Sequence, residues 1–256
     1  MIQLSEYSTE PTESIEKEEA ERIRLEDLEK ISELQTRLFA SKKKSLLIVL
    51  QGVDASGKDG SVKKLFAGLN PLGCTCQAWK APTNEELSHD FLWRIHKAVP
   101  AKGWIQIFNR SQYEDILVPY VQGSLDKERL HSRLDAICFF EDHLVRENDT
   151  QILKFFLNVS KKEQKKRIEE RMVDPTKNWK FDPSDLDAHE KFHEYQNAYE
   201  FIFNHSKDAI PWEIIPADKK WFRDYLITKA VRKRLEKMDL TYPELHPALK
   251  LPSSQE

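Results

Sequence analysis

Leu46-Leu47-Ile48-Val49-Leu50-Gln51-Gly52-Val53-Asp54-Ala55-Ser56-Gly57-Lys58-Asp59-Gly60 is the stretch on which the fold turns. Its first half is short, apolar and partly β-branched, the pattern of a buried strand. It runs directly into Gly-x-x-x-x-Gly-Lys, and a helix-compatible segment, Ser61 to Leu69, follows. Strand, glycine-rich loop and helix in that order are the context of a phosphate-binding P-loop (Walker A). Gly52 and Gly57 allow the backbone to turn tightly and aim successive N–H groups into one anion-sized nest. The helix start adds partial positive charge, and Lys58 adds a full one. The candidate phosphate-binding set is therefore Gly52, Ala55, Ser56, Gly57, Lys58, Asp59 and Gly60. An ordinary glycine-rich strand-to-helix turn is the alternative. Asp59 stands where such loops place a Ser or Thr that holds magnesium.

A chain of 256 residues and 30.1 kDa suits one α/β domain with an insertion, or two small ones. Charged residues make up 32% and mean hydropathy is −0.64, and no apolar run reaches the length of a membrane span. No membrane partner is expected. Met1 to Glu19 is acidic and lacks the order of a secretory signal. Cys74, Cys76 and Cys138 cannot make a disulfide framework and read as thiols in a reducing cytoplasm. With a net charge of −3 and a pI near 6.3, whole-molecule attraction cannot carry polyanion binding, and no nucleic-acid partner is expected. Local clustering can. Between Lys161 and Lys180 stand Lys161, Lys162, Lys165, Lys166, Arg167, Arg171, Lys177 and Lys180 against Glu163, Glu169, Glu170 and Asp174.

Residues 1–14 are polar and read as a disordered tail. Leu25, Leu28, Ile31, Leu34 and Leu38 recur at helical spacing and predict an amphipathic helix in an N-terminal extension, 15–44. It packs on the body or forms a subunit contact in a homo-oligomer. Strand-like and helix-like segments then alternate through a domain at 45–240, as in a parallel α/β sheet. Strands are expected at Leu46–Gln51, Thr75–Trp79, Trp104–Phe108, Ile152–Val159 and Trp212–Pro216. Helices are expected at 57–69, 84–97, 111–121, 126–147, 161–173, 184–206 and 218–238. Capping boxes are read at Thr83/Glu86, Ser111/Glu114 and Ser160/Glu163. Pro175 and Pro183 break the chain between two helices, so a helical hairpin at about 161–206 carries the basic cluster as a cationic lid. Residues 241–256 form a C-terminal tail.

The second chemical signal follows the third strand: Asn109-Arg110-Ser111-Gln112-Tyr113-Glu114-Asp115. In P-loop enzymes a neighbouring strand end supplies a carboxylate for magnesium. Here Asn109 holds that position, and Asp115 reaches a metal if the helix begins at Ser111. Glu114 reads equally as a capping residue and Asp115 as an acid complementing the helix dipole. Arg110 is placed to clamp a transferring phosphoryl group, with a surface salt bridge as the alternative. Asp54, inside a loop that cradles phosphate, repels its ligand unless a cation intervenes; with Asp59 and no Ser/Thr ligand it points to Mg²⁺ held by carboxylates, a generic P-loop variation being the alternative. His189-Glu190-Lys191-Phe192-His193 fits a zinc-protease pattern, but it lies in a highly charged helix and reads as a solvated face. The aromatics from Trp179 to Phe203 read mostly as a packing face, with nucleotide stacking as the other use.

Four blocks in one order carry a family resemblance: Gly52 to Gly60; Pro82-Thr83-Asn84-Glu85-Glu86-Leu87-Ser88-His89-Asp90-Phe91-Leu92-Trp93-Arg94; Phe108 to Asp115; and Asp174-Pro175-Thr176-Lys177-Asn178-Trp179-Lys180. From Ser45 to about Leu240 the chain resembles the polyphosphate kinase 2 family. The resemblance implies a P-loop kinase fold, three-layer α/β/α with a helical lid, and Mg²⁺-dependent (or Mn²⁺-dependent) phosphoryl transfer between inorganic polyphosphate and nucleotides. It implies Asp54 and Asp115 as metal ligands, Lys58 on the phosphates, Arg110 as the arginine after the strand, and Arg171 as a lid arginine. Lys177 and Lys180 would track the polyanion, and Asn109 and Glu114 would line the nucleotide site. Gln112 stands where the similar subgroup has His, and Asn109 where another has Asp. The subgroup with Asn looks like enzymes that accept nucleoside monophosphates as well as diphosphates, so the nucleotide partners expected are AMP, ADP and ATP, with GMP and GDP as further acceptors. The competing readings are an ATP-dependent nucleoside monophosphate kinase and a non-catalytic nucleotide- or polyanion-binding regulator.

Overall fold

Seven consecutive buried residues, Ser45–Gln51, form β1, and they are buried because β1 has a strand on each side. Each apolar side chain removed from water there contributes roughly 1.5–3 kcal/mol. The computed structural model describes residues 1–206 and 210–244. Its sheet has the order β2-β3-β1-β4-β5, with β2 Cys74–Ala78, β3 Ile105–Asn109, β4 Thr150–Asn158 and β5 Trp212–Pro216. All pairings are parallel. Each strand lies within two residues of its expected bounds. The chain leaves β1 toward β2 and leaves β3 toward β4, so a crevice opens at the carboxyl end of β1, the usual ligand position in open α/β sheets.

Helices cover the sheet. They are α1 Lys17–Ser41, α2 Lys58–Phe66, α3 Asn84–Leu87, α4 Trp93–Ala98, α5 Glu114–Val121, α6 Lys127–Asn148, α7 Lys161–Val173, α8 Ser184–Glu190, α9 Phe192–His205 and α10 Lys220–Glu236. α1 and α2 pack against α10, and α5 packs against α6 and α9. The expected N-terminal extension is therefore part of the body. α1 buries Ala20, Leu28, Ile31 and Leu38, and its Asp27 pairs with Arg232 at 2.6 Å.

Three expectations need correction. Residues 1–14 are not a loose tail: Leu4 is buried, and side chains satisfy the backbone. Asn204 accepts from Ile2 N, Glu200 from Leu4 N, and Asn158 donates to Tyr7 O. Second, α9 belongs to the core, with Phe192, Tyr199, Ile202 and Phe203 buried and Phe156 packed on Tyr199 and Phe203. The first part of the expected lid is tied down as well, by the buried Gln164 and Arg167 of α7 on carbonyls of the P-loop. Third, the capping boxes differ. Thr83/Glu86 is complete; Ser160 accepts from Glu163 N while Glu163 turns to Arg167; α5 starts at Glu114 with no side-chain cap. Of the C-terminal tail, residues 245–256 lie outside the described residues.

Candidate active site

The loop between β1 and α2 takes conformations that side chains disfavour, at Gly52 (φ 149°) and Gly57 (φ 107°). A Cβ on Gly52 would lie 2.8 Å from Ser56 Oγ, and one on Gly57 would fall on the Arg223 guanidinium. Ser61 closes a helical bond to Gly57 O at 3.1 Å. The amides of Lys58, Asp59 and Gly60, on the first turn, therefore lack helical partners and mark an anion site. Lys58 Nζ donates to Gly52 O at 2.7 Å and Val53 O at 3.1 Å. Burial, followed by repulsion from Arg110, lowers its pKa to about 8.

Arg110 follows directly on β3 and has φ 66°, unusual for a non-glycine residue. Its guanidinium is held between Asp54 of the loop and Glu114 of α5, the latter at 3.1 Å. Glu114 above all, against burial and with help from Asp54, keeps its pKa above the ordinary value. Asn109 Nδ2 donates to Asp59 Oδ1 at 2.8 Å, and Lys180 Nζ to Asp59 Oδ2 at 3.1 Å. Burial pushes the Asp59 carboxyl up, but these two hydrogen bonds outweigh it and hold its pKa below the usual value. The amide at 109 has a physical reason: an aspartate there would face the Asp59 carboxylate.

The structure does not bring Asp115 to Asp54. Both Asp115 oxygens accept from Arg94, at 3.0 and 2.9 Å, and its backbone carbonyl accepts from Arg133. Because α5 begins at Glu114, that residue faces the loop through Arg110, and the next one is turned about 100° around the helix axis. Burial outweighs the Arg94 guanidinium and raises the Asp115 pKa. Arg94 also donates to Lys80 O at 2.9 Å, so the pair ties α4 and the turn after β2 to α5. Asp115→Ala would leave Arg94 with only the longer carboxylate contact to Glu86, 3.4 Å, and should lower the unfolding free energy by about 1.5–3 kcal/mol in urea titration. Unchanged stability with a shifted Mg²⁺ dependence would instead restore Asp115 to the metal.

Of the lid bases, Lys180 reaches the P-loop. Arg171 pairs with Asp185 at 2.9 Å, and Lys177 with Asp174 at 3.0 Å. Trp179 is exposed, while the aromatics of α9 noted above are packed. Two guanidiniums went unremarked as site residues in the sequence. Arg167 donates to Ala55 O, Ser56 O, Ala217 O and Asp218 O at 2.7–3.2 Å. Arg223, buried beside Gly57, pairs with Asp224, which accepts from Ser61 Oγ. Both brace the loop from behind. Arg167 could be counted only as one base in a charged run, and nothing local marks Arg223. The zinc pattern is divided between helices: His189 lies in α8 and His193 in α9, and His189 Nδ1 lies 2.8 Å from Gln164 Oε1. Among the described residues no group of three or more His, Cys, Asp or Glu could hold a metal ion.

A lysine and an arginine aimed at one helix start, above a parallel sheet, place the chain among the P-loop kinases, transferases of phosphoryl groups. It belongs to the polyphosphate kinase 2 family, whose sequence pattern matches residues 14–243. The chain is 41% identical over 216 residues to the AMP/ADP-polyphosphate phosphotransferase of Meiothermus ruber, covering 84% of this chain and 80% of that one. It is 37% identical over 234 residues to the ADP-polyphosphate phosphotransferase of Rhodopseudomonas palustris, covering 86% and 81%. The crystal structure of polyphosphate kinase 2 from Arthrobacter aurescens superposes with a TM-score of 0.89 at 39% identity, covering 93% of this chain and 86% of that one. Among the described residues no helix is long and apolar enough to cross a membrane.

Proposed function

We propose that the chain moves the terminal phosphoryl group of inorganic polyphosphate to AMP or ADP, reversibly, in a reducing cytoplasm and as a homo-oligomer. One observation carries the reading. The Arg110 guanidinium is fixed beside the P-loop helix start by two acids, while Lys180 extends from the basic hairpin to the same loop. Two polyanions brought together need that much cationic charge, and the acceptor phosphate, already anionic, needs no strong general base. The names of the two relatives support polyphosphate as donor and AMP or ADP as acceptor.

Asp54 fits a divalent ion and Asp115 does not. The side chain of Asp54 is partly exposed at the loop, and its Oδ2 makes no hydrogen bond among the described residues, whereas Arg94 takes both Asp115 oxygens. Mg²⁺ is commonly held by one or two carboxylates together with phosphate oxygens. When bound, such an ion would neutralise phosphate charge beside Asp54. The residues do the rest: the loop amides and Lys58 hold phosphate oxygens, and Arg110 stabilises charge on the transferred group.

The deciding test is a donor assay with polyphosphate or ATP against AMP, ADP, GMP and GDP, with and without Mg²⁺. Polyphosphate-dependent formation of ADP and ATP is the expected result, weakening as salt screens the lid bases. Turnover with ATP plus AMP but none with polyphosphate would favour the monophosphate-kinase reading, and no turnover with any pair the regulator.

The Lys58 pKa near 8 gives a pH prediction. Below it the ammonium is charged and attracts phosphate; above it the amine is neutral and the attraction is lost. kcat/KM for polyphosphate, which reports the free enzyme, should fall as pH rises through about 8. kcat should hold to higher pH, because bound phosphate favours the charged lysine. A profile of kcat/KM flat to pH 10 would contradict this.

A further inference from the structure

Behind the Arg110–Glu114 turn lies a polar box that the chemistry above does not use. Ser111, Gln112 and Tyr113 are fully buried, and so are Lys154 on β4 and Glu141 on α6, whose charges meet at 2.7 Å. Gln112 Nε2 and Tyr113 OH donate to Glu141 Oε1 at 3.0 and 2.9 Å, and Lys154 Nζ donates to Tyr113 OH at 2.9 Å. The Lys154 ammonium is 5.3 Å from the Tyr113 ring and 5.2 Å from the Trp212 ring. Gln51, at the end of β1, donates to Ser111 Oγ at 3.1 Å.

A fully buried ion pair is a weak source of stability, since apolar residues of equal volume often serve as well. What this one supplies is direction. Both charges converge on the middle of a turn whose two ends, Arg110 and Glu114, reach the site. The positive φ of Arg110 persists only if its surroundings hold it. We propose that Glu141 and Lys154, acting through Gln112 and Tyr113, are positioning residues that keep the Arg110 guanidinium over the P-loop. Gln112 thereby acquires a physical role, because its amide donates to a buried carboxylate. The inference rests on reading Arg110 as the phosphoryl clamp.

The test uses the full chain carrying Glu141→Gln with Lys154→Met, which removes both charges and keeps the volume. Tyr113→Phe is the milder second variant, and it carries the test if the pair change prevents folding. In the parent background the pair change should lower kcat by about 10- to 100-fold and leave the nucleotide KM within about threefold; Tyr113→Phe should follow the same pattern more weakly. In an Arg110→Ala background either change should cost less than about twofold, because its target is gone. Nitrogen-15 relaxation of the Arg110 Nε–H, identified by its absence in Arg110→Ala, should show an ordered group in the parent and a mobile one in the variants. Unchanged kcat in folded variants, an equal loss in the Arg110→Ala background, or an equally ordered Arg110 would each overturn the proposal. If the parent shows no turnover, the functional reading falls and the relaxation measurement alone decides the positioning role.

Discussion

Arg110→Ala should lower kcat for polyphosphate-dependent phosphorylation by about 10³-fold or more, the range of an arginine that stabilises a transferring phosphoryl group. The side chain is about one-third exposed, so its loss leaves no large cavity, and Tm should change little. The effect should lie mainly in kcat, because charge on the equatorial oxygens is best matched in the transition state. Asp54 and Glu114 hold the guanidinium from two sides, so it needs no reorganisation at the moment of transfer. Arg110→Lys should recover little, since an ammonium cannot span two acids as a planar fork does. A variant with parental kcat and only a raised KM for polyphosphate would make Arg110 a binding base and remove it from the chemistry.

Lys58→Ala should reduce kcat/KM by about 10²- to 10³-fold, the cost of deleting one preorganised charge-stabilising donor. The side chain is buried and bonded to its own loop at Gly52 O and Val53 O. Its loss therefore removes the phosphate contact and also strips the loop of two internal hydrogen bonds. Together those bonds represent about 1–3 kcal/mol, visible as a lower midpoint in urea. The kinetic effect exceeds the stability effect, and saturating polyphosphate should not restore the rate. The regulator reading makes a different forecast: the same substitution alters nucleotide binding in a protein whose parent has no turnover. Isothermal titration and a turnover assay on the same two proteins separate these outcomes.

Much of the architecture was legible because burial on both faces leaves a continuous apolar run, as at Leu46–Leu50, and glycines end it. Breaks within helices were less legible. The expected helix 84–97 divides because Asp90 Oδ1 accepts from Leu92 N in a local turn, and 184–206 divides at Lys191. Helical spacing continues across both breaks, so periodicity cannot reveal them. The first 14 residues looked unstructured because they are polar, yet their hydrogen bonds come from Asn158, Glu200 and Asn204, far along the chain. Arg110 was legible at a strand end; Arg167 and Arg223 were not, because Arg167 reaches carbonyls of the P-loop and of residues 217 and 218, and Arg223 reaches Gly57 from 166 positions away, contacts that local sequence cannot locate.

The sequence alone determined that a parallel sheet would present a P-loop and its helix start, with Lys58, Arg110 and a basic segment around it. Those features follow from local runs and spacings. Which acid of α5 would pair with Arg110 beside the loop was decided only in three dimensions. Starting α5 at Glu114 instead of Ser111 turns Glu114 toward Arg110 and leaves Asp115 to Arg94, a residue 21 positions earlier. Helical register multiplies a small shift in the start into a change of face, and a buried carboxylate then goes to whichever cation the tertiary packing puts beside it.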